Sequence, residues 1–354
     1  MPHKKYWLSL FLVLQVVAVK VLSLFPEAVE SIYSLGLYPW LSSFWRVLLG
    51  WVPFSVGDVL YGIVTLLLIR WLWRIRKTWK NAWKTHALTI VNMVSVAYLL
   101  FHINWGLNYY RLRLHEKMGF ATEYSDADLA AFTERLIERA NQAHLAVTGD
   151  KNIKVSVPYS QDTIFDRATA AYETLSVSHP YFSFKNQSTK TSLISLPLTY
   201  MGFAGYLNPF TGEAQVNRLV PMYSFPMTTC HEMAHQMGYA SESEANFIGF
   251  LANVSSSDPY FRYSGYAYAL RYCLSSLEKR EEGSSAPYLA KINAGIRANY
   301  KESRDFWDGH QTFLNDGFEA FYDTFLKANS QDDGMEGYSK FVDLMVNYYR
   351  TKPL

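Results

Sequence analysis

Cysteine is nearly missing from this chain: its 354 residues include only Cys230 and Cys273. That excludes a disulfide framework and a thiolate zinc site, and leaves at most one bridge, between those two. An excess of either charge is missing too. Lys and Arg number 33 against 31 Asp and Glu, and no basic block stands outside one short loop, so nucleic acid is not an expected partner. Charged residues of both signs make up only 18% of the chain. With 49% hydrophobic and 16% aromatic residues, the composition excludes intrinsic disorder and supplies ample apolar material for a core.

What is abundant is apolar sequence, and it is concentrated in the first third. Three stretches reach the length of about 20 residues that a helix needs to cross a bilayer: about 6–25, 53–73 and 87–105. Trp40, Trp45, Trp51, Trp71, Trp73, Trp105, Tyr109 and Tyr110 cluster near their ends, as amphipathic aromatics do at headgroup level. A cleaved signal peptide is the alternative for the first stretch. It fits poorly, because Pro26 and Glu27 follow where a small-residue cleavage site is needed. Asp58, Lys20 and His102 in or near these spans read as snorkelling groups or contacts between helices. The loop after the second span carries Arg74, Arg76, Lys77, Lys80 and Lys84, whereas the preceding connection has only Arg46. The basic loop is therefore expected on the cytoplasmic side, and the part after the third span outside, although Arg111, Arg113 and Lys117 oppose this.

Residues 1–109 thus read as a membrane region and residues 110–354 as an extracytoplasmic, water-soluble domain, mainly α with a small sheet (α+β). Ser125 caps an expected helix to about Val147, and a second runs from about Gln161 to Leu175. Between Thr191 and Val220 the texture turns to β, with TSLISLPL and then GYLNPFTGEAQVN, where Asn208, Pro209 and Gly212 make a turn. Further helices are expected over Asp258–Lys279, Ala286–Asn299, Lys301–Ala328 and Met335–Tyr349.

Residues 228–252 read TTCHEMAHQMGYASESEANFIGFLA and contain HExxH. On a helix, His231 and His235 share one face and can hold one Zn2+, while Glu232 beside them can take a proton from water. The chemistry implied is metal-assisted hydrolysis, most often of a peptide bond. A structural alternative exists, since Thr229 and Glu232 also satisfy a T-x-x-E capping box. Gly238 can end the first helix and turn the chain back. On the returning helix Glu242, Ala245, Asn246 and Gly249 form a stripe of small and polar residues, so Glu242 is the expected third ligand and Asn246 a partner to a ligand imidazole. Glu244 lies on another face and is the alternative ligand.

HEMAH followed by ESEANFIGFLA resembles the gluzincin class of zinc metallopeptidases, in which a later helix supplies a Glu in an E-x-x-A-D or E-x-x-A-N setting. With the three N-terminal spans and GYLNPFTGEAQVN, most of the chain looks like an uncharacterised bacterial family of membrane-anchored zincin-like proteins, a domain of unknown function. The resemblance implies a zincin-like metallopeptidase domain in a bacterial cell (inner) membrane, and no substrate. The gap from His235 to Glu242 is shorter than in most gluzincins. HExxHxxG is also found in metzincins, but Ser241 stands where their third His belongs.

The expected function is that of a membrane-anchored zinc metallopeptidase acting on a peptide or protein, with His231, His235 and Glu242 on zinc and Glu232 catalytic. The polar residues crowding the motif argue against a site within lipid. GYLNPFTGEAQVN is a candidate shelf for an extended peptide, or an ordinary hairpin. Tyr206, Tyr239, His310, Arg218 and Tyr338 are chemically able to stabilise an oxyanion, although His310, among Phe306, Trp307 and Phe313, reads as a core histidine. His86, His115, His144 and His179 have no metal spacing. The rival reading is a non-catalytic membrane protein whose helical, metal-stabilised domain binds a partner or senses a ligand.

Overall fold

Apolar sequence in the first third folds into helices with their side chains facing outward. In the computed structural model, which describes residues 6–183, 185–329, 331 and 339–354, these are α1 (Trp7–Leu22), α2 (Pro26–Ala28), α3 (Tyr38–Leu49), α4 (Val56–Ile75) and α5 (Trp79–Asn104). A π-helical stretch, Val29–Leu37, joins α2 to α3. Two helices, α4 and α5, are long and apolar enough to cross a membrane. The first expected span differs from expectation. α1 has 16 residues, about 24 Å at 1.5 Å per residue, and the chain then bends by 100° into Pro26–Leu49, so a third span exists only if that bent pair forms one. Phe25 and Pro26 cause the break: Pro26 opens a new helix at its first position and has no N–H to continue the old one. Asp58 is an interior contact. Its carboxylate accepts hydrogen bonds from Ser192 Oγ (2.9 Å), the Leu193 N–H (2.7 Å) and the Tyr206 hydroxyl.

Beyond α6 (Leu114–Met118), α7 (Asp126–Thr148) starts at Ser125 with both halves of a capping box to Asp128 and ends at Gly149 in the left-handed conformation. α8 (Gln161–Ser178) follows. The sheet has three short strands, β1 (Thr189–Thr191), β2 (Gly205–Leu207) and β3 (Ala214–Val216), in the order β1-β3-β2. β3 pairs parallel with β1 and antiparallel with β2, so β2 is an edge. The expected strand over TSLISLPL keeps only Thr191 in β1, and its second half is helical instead, as part of α9 (Ser195–Tyr200). Ser192 breaks the strand by accepting the Ile194 N–H on its hydroxyl, and Pro197 sits in the first turn, where a missing donor costs nothing.

The remaining helices are α10 (Phe225–Gln236), α11 (Glu242–Ser255), α12 (Pro259–Arg280), α13 (Ala286–Leu289), α14 (Ala294–Asp308), α15 (Phe313–Ala328) and α16 (Ser339–Tyr348). The helices expected over Ala286–Asn299 and Lys301–Ala328 are cut differently: the breaks fall at Asn293, whose backbone N–H bonds the Asn141 side chain, and at extended Thr312. Residues 335–338 of the last expected helix lie outside the described residues. The main core joins α7, α8, α10, α11, α12 and α16; a second cluster of Val19, Tyr33, Tyr38, Trp105 and Tyr109 meets Ala240 and Leu326. Cys230 and Cys273 are both free and buried, so the one bridge the sequence permitted is not formed.

Candidate active site

α10 carries the HExxH motif, and its N-cap is Ser224, five residues before Thr229. Pro226 stands in its first turn, and the Thr229 hydroxyl lies mid-helix, donating to the Phe225 carbonyl at 2.8 Å. The capping box open to Thr229 and Glu232 is therefore not made, and Glu232 is free of that structural duty. The far end of α10 is held by the N-terminal region. Trp105 Nε1 donates to the His235 carbonyl (3.2 Å), Tyr38 Oη to that of Gln236 (3.0 Å), and Arg111 to that of Gly238 (2.9 Å). These donors satisfy carbonyls that a helix end leaves orphaned, and two cations, Arg46 and Arg111, favour the negative end of its dipole. Gly238 then turns the chain at φ +83°, where a Cβ would strike the Asn108 side chain at 2.8 Å.

The turn lays α11 against α10. A Cβ on Gly249 would sit 3.0 Å from the His231 nitrogen, so glycine sets how closely the two backbones approach. That approach brings Glu242 to the imidazoles. Its carboxylate lies 3.2 Å from His231 Nε2 and 3.8 Å from His235 Nε2, and the two Nε2 atoms are 3.1 Å apart. His231 Nδ1 donates to Asn246 Oδ1 (2.8 Å) and His235 Nδ1 to the Tyr239 carbonyl (2.7 Å). With both Nδ1 protons committed, each Nε2 of a neutral ring presents a lone pair to the other and to a carboxylate, and only a second proton on His231 lets its Nε2 donate to Glu242. Three electron-pair donors at such range require a cation or a proton among them. Donors 2.0–2.2 Å from one tetrahedral ion stand about 3.4 Å apart, close to the spacings found.

The charges follow from burial and this crowding. Burial works to raise the Glu242 carboxyl, but its bond to His231 and the two imidazoles outweigh that and hold it at about 2. Burial pushes His235 down to about 4. For His231 burial is outweighed by the hydrogen bond to Glu242 and the charges of Glu232 and Glu242, so it is raised. Glu232 is different. It is 3% exposed, its Oε2 is buried without a hydrogen-bond partner, and burial pushes its carboxyl up to about 8. Its other oxygen lies against Gly205 of β2, where a Cβ would meet it at 2.5 Å. His231, Glu232 and His235 offer ligand atoms within 4.8 Å of one another, and the Glu242 carboxylate approaches both Nε2 atoms from the side, one oxygen to each.

A family model described as a protein of unknown function, DUF3810, matches residues 33–346. The chain belongs to the DUF3810 family. No curated protein and no solved structure matches it. The DUF3810 match takes in both the N-terminal helices that hold α10 and the motif itself.

Glu244, the alternative ligand, points elsewhere in this DUF3810 chain: its carboxylate accepts the Leu114 N–H at 2.7 Å. Of the oxyanion candidates, Tyr206 lines the cavity beside the motif, but its hydroxyl is committed to Asp58. Tyr239 lies under the Arg111 guanidinium, His310 Nδ1 donates to the Phe306 carbonyl, and Arg218 is exposed; none of the three lines that cavity. Tyr338 lies outside the described residues. Residues that sequence reasoning missed include Tyr322, whose hydroxyl donates to Glu242 Oε1 at 2.5 Å, and Tyr268, which donates to Asn246 Oδ1 at 2.9 Å. Both come from helices remote in sequence, and no local pattern marks them. The cavity has a volume of about 830 Å3, opens on all four motif side chains, and is walled partly by Tyr61, Phe101, Trp105 and Tyr109 of the N-terminal region.

Proposed function

We propose that this protein is a membrane-anchored zinc metallopeptidase whose zincin-like domain, residues 110–354, faces outward from a bacterial inner membrane. The observation that carries the reading is the convergence of His231 Nε2, His235 Nε2 and the Glu242 carboxylate, with Oε2 3.2 Å from His231 and Oε1 3.8 Å from His235, beside a buried Glu232 with an unpaired oxygen, on the wall of a substrate-sized cavity. His231, His235 and Glu242 would hold the ion. When bound, Zn2+ supplies a Lewis acid for a carbonyl oxygen and for water.

The chain's own groups do the rest. Asn246 and the Tyr239 carbonyl fix the imidazoles so that Nε2 faces the site, and Tyr322 orients Glu242. Glu232 takes a proton from the attacking water and gives it to the departing amine. A nearby dication favours its ionised form, reversing the effect of burial in the metal-free protein. β2 borders the cavity as a sheet edge, so its backbone can pair with an extended peptide, and Gly205 keeps that strand close to Glu232.

The test uses the full chain in detergent, because Trp105, Tyr38 and Arg111 help build the site. About one zinc per chain is expected in the wild type and in Glu244→Ala, with loss in His235→Ala and Glu242→Ala. Glu232→Gln should keep the metal and lose peptide hydrolysis. A folded wild type without stoichiometric zinc would remove the reading and leave a non-catalytic membrane protein.

A further inference from the structure

The cavity continues past the motif along one face of α12. Ser264, Ala267, Tyr268, Arg271 and Tyr272 fall at i, i+3, i+4, i+7 and i+8, and all five line it. Tyr268 ends at the Asn246 amide that holds His231. Tyr272 lines the cavity beside it, within electrostatic reach of both Arg271 and Glu242. Arg271 itself is grouped with Tyr223 and Tyr300, where Tyr300 Oη donates to the Ala267 carbonyl and Tyr223 meets Ser303 at 2.7 Å.

Among the described residues, Arg271 is the one Lys or Arg that lines this cavity. Its charge-sensitive neighbours are phenols: Tyr272, Tyr223, Tyr268 and Tyr300. Among the described residues it forms no ion pair, although it remains accessible from the cavity. The residue is exposed, and the groups that raise its pKa against burial are phenols rather than a carboxylate. A guanidinium offers a planar fork of donors that matches a carboxylate with two parallel hydrogen bonds. Among the described residues, the cavity's only carboxylates, Glu232 and Glu242, belong to the motif.

We propose that Arg271 binds a carboxylate of the substrate, so that the site takes peptides carrying an acid group on the part that lies along α12. This rests on the peptidase reading for the identity of the ligand as a peptide. The carboxylate has two sources, a free C-terminus or an acidic side chain.

The full chain, stripped of metal with chelator, is titrated calorimetrically with acetyl-Phe-Ala, with its C-terminal amide, and with acetyl-Phe-Glu amide. Without metal, no ligand contact passes through zinc and no peptide is consumed. The free acid is expected to bind the wild type at least about tenfold more tightly than the amide. Arg271→Met should abolish the difference and Arg271→Lys keep part of it, with unchanged melting temperature showing that the variants fold. If the glutamyl amide regains tight binding through Arg271, an acidic side chain is an accepted source; if it does not, the source is the terminus. Equal binding of acid and amide, a preference that survives in Arg271→Met, or no binding of any of the three would overturn the proposal. Failure of the peptidase reading looks different: the zinc-loaded wild type cleaves no peptide, yet the Arg271-dependent preference for the acid persists.

Discussion

Replacing Glu232 by Gln in the metal-free protein should remove a pH dependence of stability that the burial of this carboxyl creates. Burial pushes its pKa from 4.5 to about 8, so between those values the folded chain binds a proton that the unfolded chain has released. Stability of the wild type therefore falls as pH rises from 4.5, and this contribution levels off above 8. Each tenfold change in proton affinity corresponds to about 1.4 kcal/mol, which sets a ceiling of about 5 kcal/mol for the full interval. Gln cannot ionise, so the variant escapes the loss. For a chain of this length one kcal/mol moves the melting temperature by about 2 °C, and the variant's advantage should grow by about 5–10 °C between pH 5 and pH 8.5. The assay is thermal unfolding in detergent with excess chelator, followed by near-ultraviolet circular dichroism. Parallel curves for the two proteins at both pH values would refute the argument, because they would mean that Glu232 is solvated or already ionised in the fold.

Adding Zn2+ to weakly buffered protein at pH 7 should release about one proton more from the wild type than from Glu232→Gln, read with a pH-indicator dye, because the ion displaces the proton that burial keeps on Glu232. Asn246→Ala removes the acceptor for His231 Nδ1, and competition with a chromophoric chelator should show zinc affinity weaker by about 10–100-fold; unchanged affinity would mean the ring is held by packing alone. Glu244→Ala leaves the Leu114 N–H without its partner, so the variant should lose about 1–3 kcal/mol of stability in denaturant while retaining its zinc. Gly205→Ala puts a methyl where Glu232 Oε1 lies, and peptide hydrolysis should fall at least tenfold with zinc content unchanged.

Local pattern determined much of this protein on its own. The ends of α7 follow from Ser125 and Gly149, the β2–β3 turn from Asn208 and Gly212, and the closeness of α10 to α11 from Gly238 and Gly249, because caps, turns and small-residue stripes act over a few residues. The juxtaposition of His231, His235 and Glu242 was legible for the same reason: one helix pitch and one glycine turn connect all three. Other features are decided by contacts far apart in the chain. Apolar length alone made a straight span of residues 6–25, whereas the fold bends the chain at Pro26 and returns Tyr38 to cap α10. TSLISLPL reads as β by composition, and its second half becomes helix after a serine hydroxyl turns the backbone at Ser192. Tyr322, Tyr268, Trp105 and Arg271 reach the cavity from helices 22 to 130 residues away from their partners or from the motif by separate routes. No periodicity records such a meeting, since it is fixed by how helices pack around a shared core and not by any short run of sequence.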